Sequence, residues 1–403
     1  MIRPLGAAIV LLFACAPAAH GADPETVAGD LRFPAGIAFD SDGTMFVTER
    51  EGRILAFDGG RSRVVASVQT TTGGEAGLLG IAISPDDRFV YAFATAPDGG
   101  SNLVYRVPSS GGDPKVVIDG LTASGYHNGG GVAFGDDGML YVSNGEGHDT
   151  SRAQDPNQLG GKVYRFTPDG RVPADNPFGD SPAYAVGLRN PFGLAIDPVS
   201  GAPFVTENGP ESHDEVNRID AGGNYGWPLT SGAATEGQDT ESLRGDYYDP
   251  LLDYETIIVP TGIAFADPDN ARTRFAGDLF FATYGDQTIH RVSLNGRRDR
   301  AVEDNVYFES SEPVVALAWG PKGLYFSTPG AVKLFPIAAA RAVPGTRGSL
   351  PTEVPSPRFT IADAAGDEPR RAAEGFPTAL LLVGGALLVV AAALAFAFWP
   401  RRR

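Results

Sequence analysis

Six times between residues 36 and 327 the chain repeats one short pattern: a small residue, an apolar-Ala-apolar triplet, a turn usually carrying Asp or Gly, and a second β-rich run. The first copy reads Gly36-Ile37-Ala38-Phe39, then Asp42-Gly43, then Met45-Phe46-Val47-Thr48. The others open at Gly80, Gly131, Gly193, Gly262 and Ala316, so that successive copies start 44, 51, 62, 69 and 54 residues apart. That spacing suits a four-stranded propeller blade of roughly 40 to 50 residues plus loops. The pattern therefore predicts an all-β, six-bladed β-propeller over residues 22–337. The apolar-Ala-apolar strand should line the central axis, where small side chains let sheets crowd together, and the segment Glu25 to Phe33 is expected to close the ring.

Composition agrees with many short strands joined by tight turns. The chain has 403 residues, of which 52 are Gly and 32 are Pro, with 42% hydrophobic and 20% charged residues. This is enough apolar material for a large core and too much Gly and Pro for long helices in the repeat region. The net charge of -17 argues against a nucleic-acid partner, whose phosphates need basic contacts.

The ends read differently. Arg3, an apolar stretch from Leu5 to Ala16 and the Ala19-His20-Gly21 site predict a secretion signal over residues 1–21. The single cysteine, Cys15, lies inside it, so the exported chain holds no disulfide; lipidation at Cys15 is a second reading. Residues 376–399 carry no charge and exceed the roughly 20 residues that cross a bilayer. They predict a C-terminal single transmembrane helix, preceded by a flexible stalk over 338–375 and followed by a basic cytoplasmic tail, 400–403. The Arg401-Arg402-Arg403 cluster then places the propeller on the extracytoplasmic side of the cell membrane.

Propellers bind ligands where blade loops converge at one end of the channel, so function is sought in the least repetitive loops. Three stand out: Tyr126 to Gly131, Tyr184 to Phe192, and Thr206 to Trp227. With FPAGIAF, GEAGLLGIAISPDD, HNGGGVAFGDDGMLYVSNGE, GLRNPFGLAID, TENGPESHDEVN and NYGW in this order, the chain from Phe33 to Phe326 resembles the pyrroloquinoline quinone (PQQ)-dependent soluble glucose, aldose sugar and sorbosone dehydrogenases.

His127 is a candidate on chemistry as well, because a neutral imidazole is the usual general base for a hydroxyl proton. The resemblance implies that His127 is the catalytic base and that Glu146, standing where the family has Asp, orients it. It implies that Arg189 and Asn190 contact the quinone carbonyl, that Glu75 lies beside the cofactor, and that the carbonyls of Gly209 and Pro210 hold a Ca2+ ion. Arg189 has a second reading, as an anchor for a blade loop. Glu207, Glu211, Asp214 and Glu215 either complete a calcium shell or stabilise the loop without metal. His148, His213 and His290 have no comparable setting and are expected at the surface.

Two departures from the family pattern bear on PQQ. The fifth blade offers no lysine after its second run, which reads Phe280 to Asp286, and the sixth brings no arginine before its inner strand, at Glu312 to Ala316. Arg291, Arg274 and Lys162 are the candidates to replace them. The expected function is a membrane-anchored PQQ- and calcium-dependent dehydrogenase that oxidises an aldose or sugar-like alcohol and passes electrons to an acceptor. The alternative is a non-catalytic calcium-binding propeller with a glycan or protein partner. Calcium-dependent lactone hydrolysis fits less well, because its motifs differ.

Overall fold

A computed structural model describes residues 23–269 and 273–336. The expected signal segment, stalk, membrane helix and basic tail lie outside the described residues, among which no helix is long and apolar enough to cross a membrane.

The six repeats become six antiparallel four-stranded sheets. Their innermost strands are Pro34–Phe39, Leu78–Ile83, Val132–Phe134, Pro191–Ile196, Pro260–Phe265 and Leu317–Gly320. Each pairs with the second run of its repeat, as Phe39 with Met45 and Phe134 with Leu140. Blade six completes itself with the first strand of the chain: Glu25–Ala28 pairs with Ala331–Pro336, Glu25 lying opposite Leu334. The predicted closing segment thus supplies the outermost strand, and the ring has no free end where its two termini meet.

Alternation of side chains along each strand sends one set to each neighbouring blade, and six apolar clusters result, one at each blade junction. Phe204 against Phe265, edge to face with centroids 5.1 Å apart, is typical of the blade four to five junction. Nearer the axis the sheets almost touch. A Cβ at Gly36 would lie 2.7 Å from the Leu79 carbonyl oxygen, so only glycine lets blades one and two approach this closely.

The second run of the repeat often ends in Ser or Thr, and these buried hydroxyls stitch blades together. Thr206 donates to the Thr261 carbonyl at 2.6 Å, and Ser327 to the Pro34 carbonyl at 2.8 Å. Strand direction then places the site. Because the innermost strands run parallel around the ring, the hairpins between second and third strands and the connections between blades all emerge on one face.

Candidate active site

On that face the loops of blades one to four converge on His127. Its connection, between blades two and three, is pinned from below by an amide network. Asn102 Nδ2 donates to Asn128 Oδ1 at 3.1 Å and to Asn144 Oδ1 at 3.0 Å, and Asn144 Nδ2 donates to the Thr122 carbonyl at 3.0 Å. All three asparagines are fully buried. His127 itself has φ +55°, in the left-handed region where histidine is less strained than most residues. Its amide donates to Glu75 Oε2 at 2.7 Å, and its Nδ1 lies 2.6 Å from Glu146 Oε1.

The longer Glu side chain at 146 therefore keeps the orienting contact expected of the family's Asp. Glu146 is buried, and its backbone is fixed by its amide N–H, which donates to the Arg189 carbonyl (2.8 Å), and by Arg152 Nη1, which donates to the Glu146 carbonyl (3.1 Å). With Nδ1 engaged, Nε2 is the nitrogen left to exchange a proton. Gly145 is indispensable to this fit: a Cβ there would overlap the His127 carbonyl oxygen.

Asn190 ties three loops together. Its Oδ1 accepts from the Gly129 amide at 3.0 Å, its Nδ2 donates to Glu75 Oε2 at 3.3 Å, and its own amide donates to Glu207 Oε1 at 2.5 Å. The Arg189 amide shares that oxygen at 3.0 Å. The Arg189 guanidinium donates to the Asn208 carbonyl at 2.8 Å and lies 5.6 Å from the Trp227 ring centroid. Burial lowers its pKa, while Glu207, Glu146, Glu75 and Asp214 favour the charged form. It is a cation held among four carboxylates at the centre of the site, and its bonds to Asn208 and Glu207 anchor the blade loop that carries it.

The carboxylates of the 207–215 loop divide their work. Asp214 accepts from the amides of Gly209 (2.8 Å), Ile258 (2.7 Å) and Val259 (2.8 Å), which winds the loop around one side chain. Glu211 is exposed. Glu215 accepts from the Gly232 amide and Asn217 Nδ2, each at 2.8 Å, and burial pushes it up to about 7. Glu207, raised well above its ordinary value by burial and by Glu215, keeps Oε2 buried without a partner. A small cavity lined by Glu207, Gly209, Glu215, Trp227 and Thr230 lies here. Among the described residues no group of three His, Cys, Asp or Glu is placed to hold a metal. A hard cation in this loop would thus draw on carbonyls as well as carboxylates, and the unpartnered Glu207 oxygen fits that need.

Several expectations are corrected. Lys162 does not reach the site: its ammonium donates to the carbonyls of Arg152 (2.6 Å), Gly160 (2.7 Å) and Ala153 (3.3 Å), locking the loop behind Glu146. Arg291 is paired with Asp278 at 2.6 Å, and Arg274 lies over Phe275, both in the body of blade five. His290 is buried, stacked on Phe281 and bonded to Asp304 at 2.9 Å. His213 is half-buried on Asp253. His148 is exposed, but it stacks on His127 with centroids 4.0 Å apart and belongs to the site.

Arg50 was not singled out in the sequence, because nothing in its immediate context marks it. Its Nε donates to the Ala76 carbonyl at 2.8 Å and its Nη2 to the carbonyls of Thr72 (2.9 Å) and Gly74, so it shapes the loop that presents Glu75. Its charge also acts on Tyr284, in the blade five hairpin that lacks a lysine. Asp286 of that hairpin accepts from the hydroxyls of Thr283 and Thr288.

Comparison with known proteins places this site in context. The glucose / sorbosone dehydrogenase family model matches residues 31–332. An aldose sugar dehydrogenase of Escherichia coli (strain K12) is 28% identical over 331 residues, which cover 75% of this chain and 88% of that protein. The structure of the PQQ-bound aldose sugar dehydrogenase from Streptomyces coelicolor is similar with a TM-score of 0.67 and 32% identity, covering 78% of this chain and 98% of that one. The apo form of the soluble Escherichia coli aldose sugar dehydrogenase is similar with a TM-score of 0.68 and 27% identity, covering 78% and 99%.

Proposed function

The chain belongs to the glucose / sorbosone dehydrogenase family, and from that premise we propose that it is a PQQ-dependent dehydrogenase oxidising an aldose or a sugar-like alcohol. The observation that carries this reading is the 2.6 Å contact between His127 Nδ1 and Glu146 Oε1, set beside Arg189 and Asn190. This pair differs from His290–Asp304 and His213–Asp253 in that its carboxylate is fully buried and it lies among the loops that carry Arg189 and Asn190.

The residues fit the quinone end of the cofactor: Arg189 and Asn190 would contact it, with Glu75 holding Asn190 and the His127 backbone in register. When bound, PQQ supplies the acceptor for the two electrons of the alcohol. His127 Nε2 takes the hydroxyl proton, while Glu146 fixes the tautomer and offsets the charge that the ring acquires. The Arg189 guanidinium stabilises negative charge in a site already organised before substrate arrives. Calcium would be held at the Gly209 and Pro210 carbonyls with help from Glu207. The uncharged 376–399 segment and the following arginines support a single-pass anchor with the propeller outside the cytoplasm.

The test is reconstitution of the full-length protein with PQQ and calcium, followed by dye reduction with a panel of aldoses. His127→Ala should lower turnover on the order of 100-fold or more while leaving the propeller folded by circular dichroism, the lost Glu146 contact and the left-handed backbone lowering only its melting temperature. Wild-type protein that takes up PQQ yet reduces no dye with any aldose would overturn the reading.

A further inference from the structure

His127 is the inner end of a row of rings. His148 lies flat against it, 4.0 Å between centroids and 23° from parallel, and Tyr126 lies 5.7 Å beyond His148 at 58°. The row runs from the buried base to open solvent: His127 is 8% exposed, His148 is exposed, and Tyr126 is 41% exposed. Neither outer ring belongs to any of the six blade-junction cores, so neither is needed to hold the sheets together. The chain nevertheless accepts left-handed backbone at two places to form the row, φ +55° at His127 and +62° at His148. The Gly147 amide, bonded to the His127 carbonyl at 3.2 Å, locks the two loops together.

We propose that His148 and Tyr126 form the wall that receives the sugar ring beside His127 and so set which sugars are accepted; this rests on the dehydrogenase reading above. A pyranose is wider than the gap between stacked rings, so a sugar that presents a hydroxyl to His127 also reaches the ring beside it. Aromatic faces pack well against the C–H face of such a sugar, and the imidazole edge offers both a donor and an acceptor to neighbouring hydroxyls while it stays neutral. The surroundings of His148 favour its neutral form: partial burial and then His127 lower its pKa, Arg189 adds to this, and Glu146 and Glu75 oppose it. A neutral neighbour is also what His127 requires, since a second charge so close would oppose its protonation.

The test uses the full-length protein in detergent and two readouts. The first is KM and kcat for aldoses in the PQQ-loaded protein. The second is binding of 1,5-anhydroglucitol, which lacks the anomeric hydroxyl, to loaded and unloaded protein by saturation-transfer NMR. His148→Ala and Tyr126→Ala should each raise KM and weaken binding of the probe about tenfold, with the loss falling in KM rather than in kcat. Tyr126→Phe should restore most of the affinity.

A fall in kcat with KM and probe binding unchanged would reduce His148 to a backing for His127 and overturn the proposal, as would a silent Tyr126→Ala. Probe binding that weakens in the variants while no aldose is oxidised would support the wall and sink the dehydrogenase reading alone. No saturation transfer from the wild-type protein, loaded or unloaded, would overturn the wall.

Discussion

At the scale of the residue, position 146 shows how little chemistry and how much geometry a substitution can change. Glu in place of the family's Asp adds a methylene, and the surrounding loop places Oε1 2.6 Å from His127 Nδ1 all the same. Glu146→Asp in this chain should then withdraw the carboxylate by about 1.5 Å, one C–C bond, and break the contact. Turnover should fall at least as far as in Glu146→Gln, which keeps the oxygen in place and loses only the charge, at a cost of about tenfold. Dye reduction by the two variants checks the order, and an Asp variant as active as wild type would refute it. Lys162 gives a pH prediction. Burial brings its ammonium down to about 7, below the unfolded value of about 10.4. Between those values the unfolded chain binds the extra proton, so stability rises with pH across that window, by up to about 1.4 kcal/mol per unit. Thermal melts of wild type and Lys162→Met should diverge in favour of wild type as pH rises from 7 to 9, and parallel curves would show that Lys162 is not titrating there.

At the scale of the element, the carboxylates of the 207–215 loop divide between one that holds the loop without metal and one left open to an ion. Asp214 satisfies three amides and needs no ion, whereas Glu207 leaves one buried oxygen unpartnered beside Glu215. Calcium that binds the folded loop stabilises it by mass action, so excess chelator should lower the melting temperature of the purified protein by roughly 4 °C or more. Glu207→Gln should abolish most of that difference. An unchanged melt in chelator, with no calcium found by metal analysis, would remove the ion from this loop. The apolar-Ala-apolar pattern of the inner strands sufficed to locate all six, because each small residue answers a local steric demand at the axis, as Gly36 does against Leu79.

At the scale of the whole molecule, ring closure makes the propeller self-contained. Every strand from Glu25 to Pro336 pairs within it, and the first strand completes the last blade. Ending the chain after Pro336 should leave the melting temperature within about 2 °C of the full-length value and move the protein from the membrane fraction to the soluble one. Full-length protein recovered in the soluble fraction without detergent would count against the anchor.

The blade count, the strand order and the loops that bring His127, Glu146, Arg189 and Asn190 together were legible in the sequence. Repeats record a period that every blade must satisfy, and the motif residues are adjacent to glycines that only those loops require. Legibility ended where partners lie far apart along the chain. Arg50 shapes the Glu75 loop, Asn102 holds Asn144, Lys162 locks a loop through three carbonyls, and His148 stacks on His127. None of these contacts leaves a local pattern, because each is made only when six sheets close around one axis and bring separate loops to the same face.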